Sequence, residues 1–226
     1  MYIPAHFAAD DLDEIAAFVD RAGTADLVTF DGTKPVATLL PVIWERPPDA
    51  GTQTDGPAGH GRLLGHIALS NPQWSTSVAG MPGLAIVRGP QAYVSPSWYQ
   101  STREHGRTVP TWNYKSVHFT GVVTFHQDPG WLREVVTRLT ERYEAGRPDR
   151  WWVTDAPEKF IDGQLRAIVG VEMLIDQVEA KDKLSQNRTP QDRANVIVAL
   201  RNEPEPEAHE IADLMAQREA LAERST

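Results

Sequence analysis

The segment from residue 24 to residue 126 most constrains the fold, because short β-branched stretches follow one another there with few helical signals between them. ADLVTF and VATLLPVIW flank Asp31-Gly32, a strong hairpin turn signal. Further strands are predicted for RLLGHIAL, for GLAIVRG and QAYVSPS joined at Gly89-Pro90, for SVHFTGVVTFHQ, and for roughly residues 165–178. Antiparallel-style strands with so few intervening helices favour a closed or nearly closed barrel over a βαβ array.

Helical signals accompany these strands, and capping residues mark where most of the helices begin. The predicted helices are residues 10–22, a short helix or turn after Asn71, a long helix from Asp128 to near Gly146, a helix opened by Thr189, and a terminal helix after Pro206. The predicted fold class is therefore mainly β (β+α), a barrel with peripheral helices and a helical C-terminus.

The composition of the 226-residue chain excludes several classes of protein. The absence of cysteine rules out disulfides, thiolate metal sites and cysteine nucleophiles, and it suits a reducing cytosol. The opening MYIPAHFAADDLDEI has neither the basic nor the apolar region of a signal peptide. No uncharged apolar run approaches the ~18 residues of a membrane span. We therefore expect a cytoplasmic protein with no membrane association.

The charge balance argues against direct DNA binding. The chain has 22 Lys and Arg against 31 Asp and Glu, a formal net charge of −9. An acidic protein repels phosphate backbones unless its basic residues are segregated in a patch. The nearest approach to a basic cluster, Lys181, Lys183 and Arg188, is interrupted by acids in the sequence.

Familiar catalytic signatures are missing from the sequence. There is no Gly-x-Gly-x-x-Gly, no phosphate-binding Gly-x-x-x-x-Gly-Lys-Ser/Thr, no His-Glu-x-x-His and no Gly-x-Ser-x-Gly. The seven histidines are scattered. We predict neither a protein-bound metal nor a serine hydrolase.

Four segments are dense in polar and aromatic residues: GHIALSNPQW (65–74), YVSPSWYQ (93–100), VPTWNYKSVH (109–118) and KLSQNR (183–188). Trp and Tyr offer flat apolar faces, Asn and Gln can bond a heterocycle, and Lys and Arg can neutralise a phosphate. Together they suit a planar, phosphorylated cofactor. The same residues could equally form an aromatic core and a dimer interface, and residue types alone leave both interpretations open.

These segments, together with MYIPAHF, AIVGVEMLI and EAKDKLSQNR, carry a family resemblance. The chain resembles the PaiB family of FMN-binding negative transcriptional regulators over residues 1–202, and that family resembles the FMN-binding split-barrel superfamily. The resemblance implies a six-stranded antiparallel split barrel, a homodimer, and FMN sites built at the subunit interface from both chains. We predict a PaiB-like domain over residues 1–202 and a separate C-terminal helix over 203–226.

The resemblance also implies candidate cofactor contacts. Thr38, Leu39 and Leu40 are placed against the flavin ring, largely through backbone groups, and His66, Ser70 and Asn71 at the ribityl–phosphate end. PTWNYK is interpreted as a loop that reaches the partner's flavin, with SPSWY beside it. The remaining predicted contacts are Trp98, Trp112, Asn113, Tyr114, Lys115, Lys183, Gln186 and Arg188.

One departure from related split-barrel oxidases concerns the phosphate. Many of them carry an Arg/Lys pair just after the third strand, where this chain has Ser70-Asn71-Pro72. The phosphate charge must then be met by a distant cation such as Lys115, Lys183 or Arg188, or by amides at the start of the short helix.

Three functions follow from the resemblance. The first is FMN-dependent oxidoreductase chemistry on a small cytosolic molecule, with no side chain named as catalytic because the flavin carries the redox step. The second is an FMN-binding or ligand-sensing transcriptional regulator without turnover. The third is a haem-binding split barrel, for which His66 and His118 are candidate axial ligands. Whether the protein is an enzyme, and on what substrate, stays open at the level of sequence.

Overall fold

Six β-strands form a closed barrel in the computed structural model of the protein, which describes residues 1–47 and 59–224. The order around the barrel is β1-β2-β3-β6-β5-β4, and the β1–β2, β1–β4, β2–β3 and β3–β6 pairings are antiparallel. The strands are β1 Thr24–Phe30, β2 Pro35–Glu45, β3 Arg62–Ala68, β4 Pro82–Val94, β5 Thr111–His126 and β6 Ile168–Lys183. The predicted six-stranded barrel with peripheral helices is confirmed.

The described helices are α1 Leu12–Ala22, α2 Gln73–Thr76, α3 Gln100–His105, α4 Pro129–Glu144, α5 Glu158–Leu165, α6 Pro190–Leu200 and α7 Pro206–Arg224. Two predicted helix starts are confirmed by their caps. The Asp128 carboxylate accepts from the Trp131 amide at 2.8 Å, and the Thr189 hydroxyl accepts from the Asp192 amide at 3.1 Å. Neither α3 nor α5 was predicted, because helices of 6 and 8 residues show too little of the 3.6-residue period.

The β1–β2 hairpin confirms the predicted Asp31-Gly32 turn. The Asp31 carboxylate accepts from the hydroxyl and amide of Thr33 and from the amide of Lys34, at 2.7 to 2.9 Å. These bonds, led by the Thr33 hydroxyl, lower the pKa of Asp31 to about 2.

Three predicted strand boundaries were wrong. Gly89-Pro90 does not separate two strands, since β4 runs unbroken from Pro82 to Val94. The fixed φ of proline is compatible with extended backbone. PTWNYK is not a loop, because β5 begins at Thr111 and its Thr, Trp and Tyr favour a strand. The last strand ends at Lys183 rather than near residue 178, because its charged end keeps an extended backbone, which pairs with Ala8 at Lys181.

The barrel interior is filled. Its inner cavity measures only about 10 Å³ and is lined by small and aliphatic residues such as Ala25, Leu40 and Met173. That volume holds about one water molecule. A cofactor therefore has no room inside the barrel and must bind elsewhere.

The chain divides into two compact units. The barrel unit comprises Leu12–Val87 and His118–Val178, and the terminal unit comprises Met1–Asp11, Arg88–Val117 and Glu179–Thr226. In the terminal unit, α6 and α7 pack with the end of β4, and the buried cluster contains Val94, Tyr99, Leu184, Val196, Leu200, Ile211 and Met215 among others. The predicted domain boundary at residue 203 stays a prediction.

Among residues 1–47 and 59–224, none of the helices combines the length and the apolar character that a bilayer crossing requires.

Candidate functional site

The end of β6 places two lysines on one face of the strand. Side chains alternate along a strand, so Lys181 and Lys183 point to one side and Asp182 between them points to the other. The acid that interrupts the basic residues in the sequence is thereby removed from them in space. A cluster of positive charge forms on one face although none is visible in the sequence.

Aromatic rings surround these two ammonium groups within the terminal unit. The Lys181 Nζ lies 5.4 Å from the ring centroid of Tyr114 and 6.0 Å from that of Phe7. The corresponding distances for the Lys183 Nζ are 5.9 and 6.0 Å. Lys181 is only 7% exposed, and its ammonium also donates to the Tyr2 carbonyl at 3.0 Å. Cation–π contacts at such distances are weakly stabilising and do not neutralise the charge.

Arg188 adds a third cation to this cluster. Its guanidinium lies over the Tyr99 ring, 4.6 Å from the centroid. Burial, followed by the neighbouring charges of Lys181 and Arg188, lowers the pKa of Lys183. Within the described parts of the chain, no carboxylate lies within ion-pair distance of Lys181, Lys183 or Arg188. We call these three residues the cation cluster.

Lys115, the remaining predicted phosphate ligand, has a different environment. Its ammonium lies 2.7 Å from the Asp182 carboxylate, and both side chains are buried. The other carboxylate oxygen of Asp182 is buried without a hydrogen-bond partner in the described structure. Lys115 therefore already has a counter-charge, although its role as a cofactor contact stays a prediction.

Asn113 is also engaged inside the terminal unit. Its amide nitrogen donates to the Ser185 hydroxyl at 3.0 Å, and that hydroxyl lies 3.1 Å from the Asn113 carbonyl oxygen. Ser185 has a positive φ of 63°, rare for a residue with a side chain. The neighbouring Gln186 accepts from the Leu184 amide at 2.7 Å and donates to the Asp182 carbonyl. Asn113 and Gln186 thus shape the turn after β6.

The three aromatic candidates differ in exposure. Trp112 is 51% exposed and makes an edge-to-face contact with Tyr93, with centroids 6.0 Å apart. Tyr114 is half-buried beneath the two lysines. Trp98 packs against the buried cluster of α6 and α7. Trp112 is therefore the aromatic candidate whose face is most available to a ligand.

Polar candidates of the barrel unit organise the turn after β3. The Asn71 side chain donates to the Thr38 hydroxyl at 2.8 Å and accepts from the Gln73 amide at 3.0 Å. The fully buried Gln73 in turn donates to the carbonyls of Leu27 and Val36 and to the Thr29 hydroxyl. Sequence reasoning did not single out Gln73, because its burial is visible only in the structure.

The other candidates of the barrel unit vary in burial. Leu39 is 62% exposed, whereas the Leu40 side chain lines the barrel interior, so only its backbone could meet a cofactor. Ser70 is exposed. The Nδ1 atom of half-buried His66 has no hydrogen-bond partner in the described structure, and burial lowers the pKa of this histidine. These residues stay predicted contacts.

The residues present fit FMN at its charged end. Three uncompensated cations provide what a phosphate dianion requires, and the adjoining aromatic rings keep water away from it. Sequence reasoning missed Lys181 as a contact, because it ended the last strand near residue 178. Continuing the predicted strand through AKDK would have placed Lys181 and Lys183 on the same face, because residues two apart in a strand share a face.

Comparisons with known proteins agree with this fit. Residues 1–177 match the family model described as "Putative FMN-binding domain". The chain is 37% identical over 215 residues to protease synthase and sporulation protein PAI 2 of Bacillus subtilis, covering 95% of this chain and 96% of that protein. The PaiB resemblance and the FMN cofactor predicted from the sequence are confirmed.

Solved structures support the fold. The flavocytochrome Anf3 of Azotobacter vinelandii superposes with a TM-score of 0.55 at 14% identity, covering 85% of this chain and 78% of that one. An FAD- and haem-binding protein of Mycobacterium smegmatis gives 0.54 at 18% identity, covering 82% and 78%. At such low identity these likenesses establish the split-barrel fold alone.

Proposed function

The chain belongs to the FMN-binding domain family that its first 177 residues match, and from that premise we propose that it is an FMN-dependent oxidoreductase acting on a small cytosolic molecule. Bound FMN would supply the hydride or electron transfer. The protein would supply binding, orientation and electrostatics. No side chain is assigned as an acid or base.

The cation cluster is the observation that carries this proposal. Lys181 is only 7% exposed, yet no described carboxylate compensates it. Burying a charge without a partner is costly, so such a group is expected to meet an anion from outside the chain. Lys181, Lys183 and Arg188 would hold the FMN phosphate, replacing the Arg/Lys pair that is missing after the third strand.

The surroundings of the cluster would strengthen this binding. Phe7 is 6% exposed and Tyr114 is half-buried, so both rings cover one side of the buried Lys181 ammonium group. Charge-assisted bonds gain strength where water is excluded. Trp112, half exposed near the beginning of β5, would contribute a flat face to the ring system.

We also propose that the protein is a homodimer whose interface includes residues 93–118. The exposed edge-to-face pair of Tyr93 and Trp112 supports this, because aromatic side chains are enriched at interfaces. Light scattering at micromolar concentration should give twice the monomer mass. A monomer mass alone would remove the dimer from the proposal.

Purified protein reconstituted with FMN tests the oxidoreductase. We expect flavin absorbance bands, bleaching by NADH or NADPH under anaerobic conditions, and repeated turnover when air is admitted. Free FMN at the same concentration is the control for non-enzymatic reduction. Bound flavin that neither NADH nor NADPH reduces faster than free FMN would contradict the enzyme.

A second candidate is an FMN-binding sensor without turnover. It is supported by the name of the Bacillus subtilis relative, which refers to protease synthase and sporulation. A salt-sensitive DNA mobility shift that depends on FMN, in protein without reductase activity, would favour this candidate. A Soret band in place of flavin bands would instead indicate haem.

A further inference from the structure

A cavity of about 290 Å³ lies within the barrel unit, where strand ends meet α4 and α5. Leu69 follows β3, Ile168 begins β6, and Leu132 and Leu165 come from the two helices. These four aliphatic side chains are half of the eight residues that line the cavity. That volume is near the lower end of small-molecule sites.

An ion pair, a backbone hydrogen bond and apolar packing connect the elements that form the walls of this cavity. The Arg133 guanidinium of α4 lies 2.6 Å from the Asp162 carboxylate of α5. The Leu69 amide donates to the Ala167 carbonyl at 2.8 Å, which joins the end of β3 to the start of β6. Leu132 and Leu165 pack in one buried cluster. A preformed cavity of this kind loses little conformational entropy when a ligand enters.

The polar groups that line the cavity differ in whether a partner within the chain compensates them. Asp162 is compensated by Arg133, whereas Arg166 is exposed and its guanidinium has no acidic partner among the described residues. The Gln127 side-chain amide, also in the lining, makes no hydrogen bond within residues 1–47 and 59–224. The lining therefore combines an aliphatic surface, one uncompensated positive charge and one free amide.

We propose that this cavity binds a small monocarboxylic acid with an aromatic or branched aliphatic body. The apolar body would cover Leu69, Leu132 and Ile168, and the carboxylate would pair with Arg166. The planar guanidinium matches a carboxylate with two parallel hydrogen bonds. Arg133 does not compete, because its partner is Asp162. The proposal is independent of FMN, so its failure would leave the proposed function untouched.

Titration of the full chain, free of flavin, with benzoate tests the proposal, with the neutral and isosteric benzamide as the comparison ligand. Calorimetry should show benzoate binding at least about tenfold more tightly than benzamide, since a charge-assisted pair contributes more than a neutral bond. Arg166→Ala should weaken benzoate about tenfold and leave benzamide unchanged. Arg107→Ala removes an exposed arginine of the terminal unit and should change neither.

A second variant tests the apolar wall. Leu69 is 39% exposed, so Leu69→Trp can be accommodated at the surface while the larger ring narrows the cavity. It should weaken both ligands by a similar factor, and FMN affinity should stay at the wild-type value in Arg166→Ala. Equal binding of benzoate and benzamide, benzoate binding that ignores Arg166→Ala, or no binding of benzoate would each overturn the proposal.

Discussion

Lys115 and Lys181 are buried to the same extent, 7% exposed each, but have opposite surroundings. Lys115 faces the Asp182 carboxylate at 2.7 Å. Lys181 faces aromatic rings and one carbonyl, with two more cations in its cluster. Burial alone therefore does not identify a ligand-binding lysine. The presence or absence of a counter-charge within the chain separates a structural cation from one that awaits an anion.

The barrel unit offers the same lesson from another cation. Arg62 donates to the Glu45 carboxylate and, at 2.8 Å, to that of Glu172, which also contacts His126 at 3.0 Å. Bonding to Glu45, followed by Glu172, raises the pKa of Arg62. This arginine is fully compensated, as Lys115 is, and we expect it to contribute to folding rather than to bind a cofactor anion.

The largest expected effect comes from removing each buried lysine in turn. Lys115→Met should lower the free energy of unfolding by about 3–5 kcal/mol, because it leaves the Asp182 carboxylate buried and unpaired. Lys181→Met, at equal burial, should cost much less, because no carboxylate loses its partner. Urea denaturation of the flavin-free protein measures both. Equal losses in the two variants would break the comparison.

FMN affinity should depend on the cation cluster. Lys183→Ala and Arg188→Ala should each weaken FMN binding by roughly 1–3 kcal/mol if a charge-assisted bond to the phosphate is lost. Lys34→Ala, at an exposed lysine of the β1–β2 turn, is the matched control. Flavin fluorescence titration gives the dissociation constants. Wild-type affinity in both cluster variants would show that the phosphate binds elsewhere.

Trp112 tests the aromatic side of the same region. Trp112→Ala should weaken FMN binding by about 0.5–1.5 kcal/mol more than Trp112→Phe, because phenylalanine keeps a flat face for stacking. Trp151→Ala, at an exposed tryptophan of the barrel unit, should leave affinity unchanged. Loss of the dimer in Trp112→Ala, with normal FMN binding by the remaining dimers, would identify Trp112 as an interface anchor.

The smallest expected effect is a pH dependence of stability that originates at Lys183. Because burial and its cationic neighbours lower its folded-state pKa below the ordinary 10.5, the unfolded chain binds more protons between the two values. The unfolding free energy of the flavin-free protein should therefore rise with pH in the window that ends at 10.5. Below that window the penalty of the charged lysine is present in full.

Lys183→Met is the comparison for this pH series, because it removes the titrating group and keeps the length of the side chain. Its unfolding free energy should lack the rise that the wild type shows in the window below 10.5. Parallel profiles of unfolding free energy against pH for the two proteins would mean that Lys183 keeps an ordinary pKa. Its ammonium group would then be solvated by water and would not need an anion from outside the chain.

The sequence by itself determined the barrel, most helix starts and the cofactor family. Turn signals such as Asp31-Gly32 and caps such as Asp128 act through local backbone chemistry, so the local sequence suffices to predict them. The PaiB motifs identified the family for the same reason, since they are contiguous in the chain.

Tertiary structure alone decided which polar residues already have an ion-pair or hydrogen-bond partner within the chain. Asp182 interrupts the basic residues of the sequence, yet the pleat of β6 turns it toward Lys115 and leaves Lys181 and Lys183 without a counter-charge. Asn113 bonds Ser185, which lies 72 residues away along the chain. A sequence shows which charges and amides are present, but compensation depends on distances of a few ångströms between residues far apart in the chain, and only the folded backbone sets those distances.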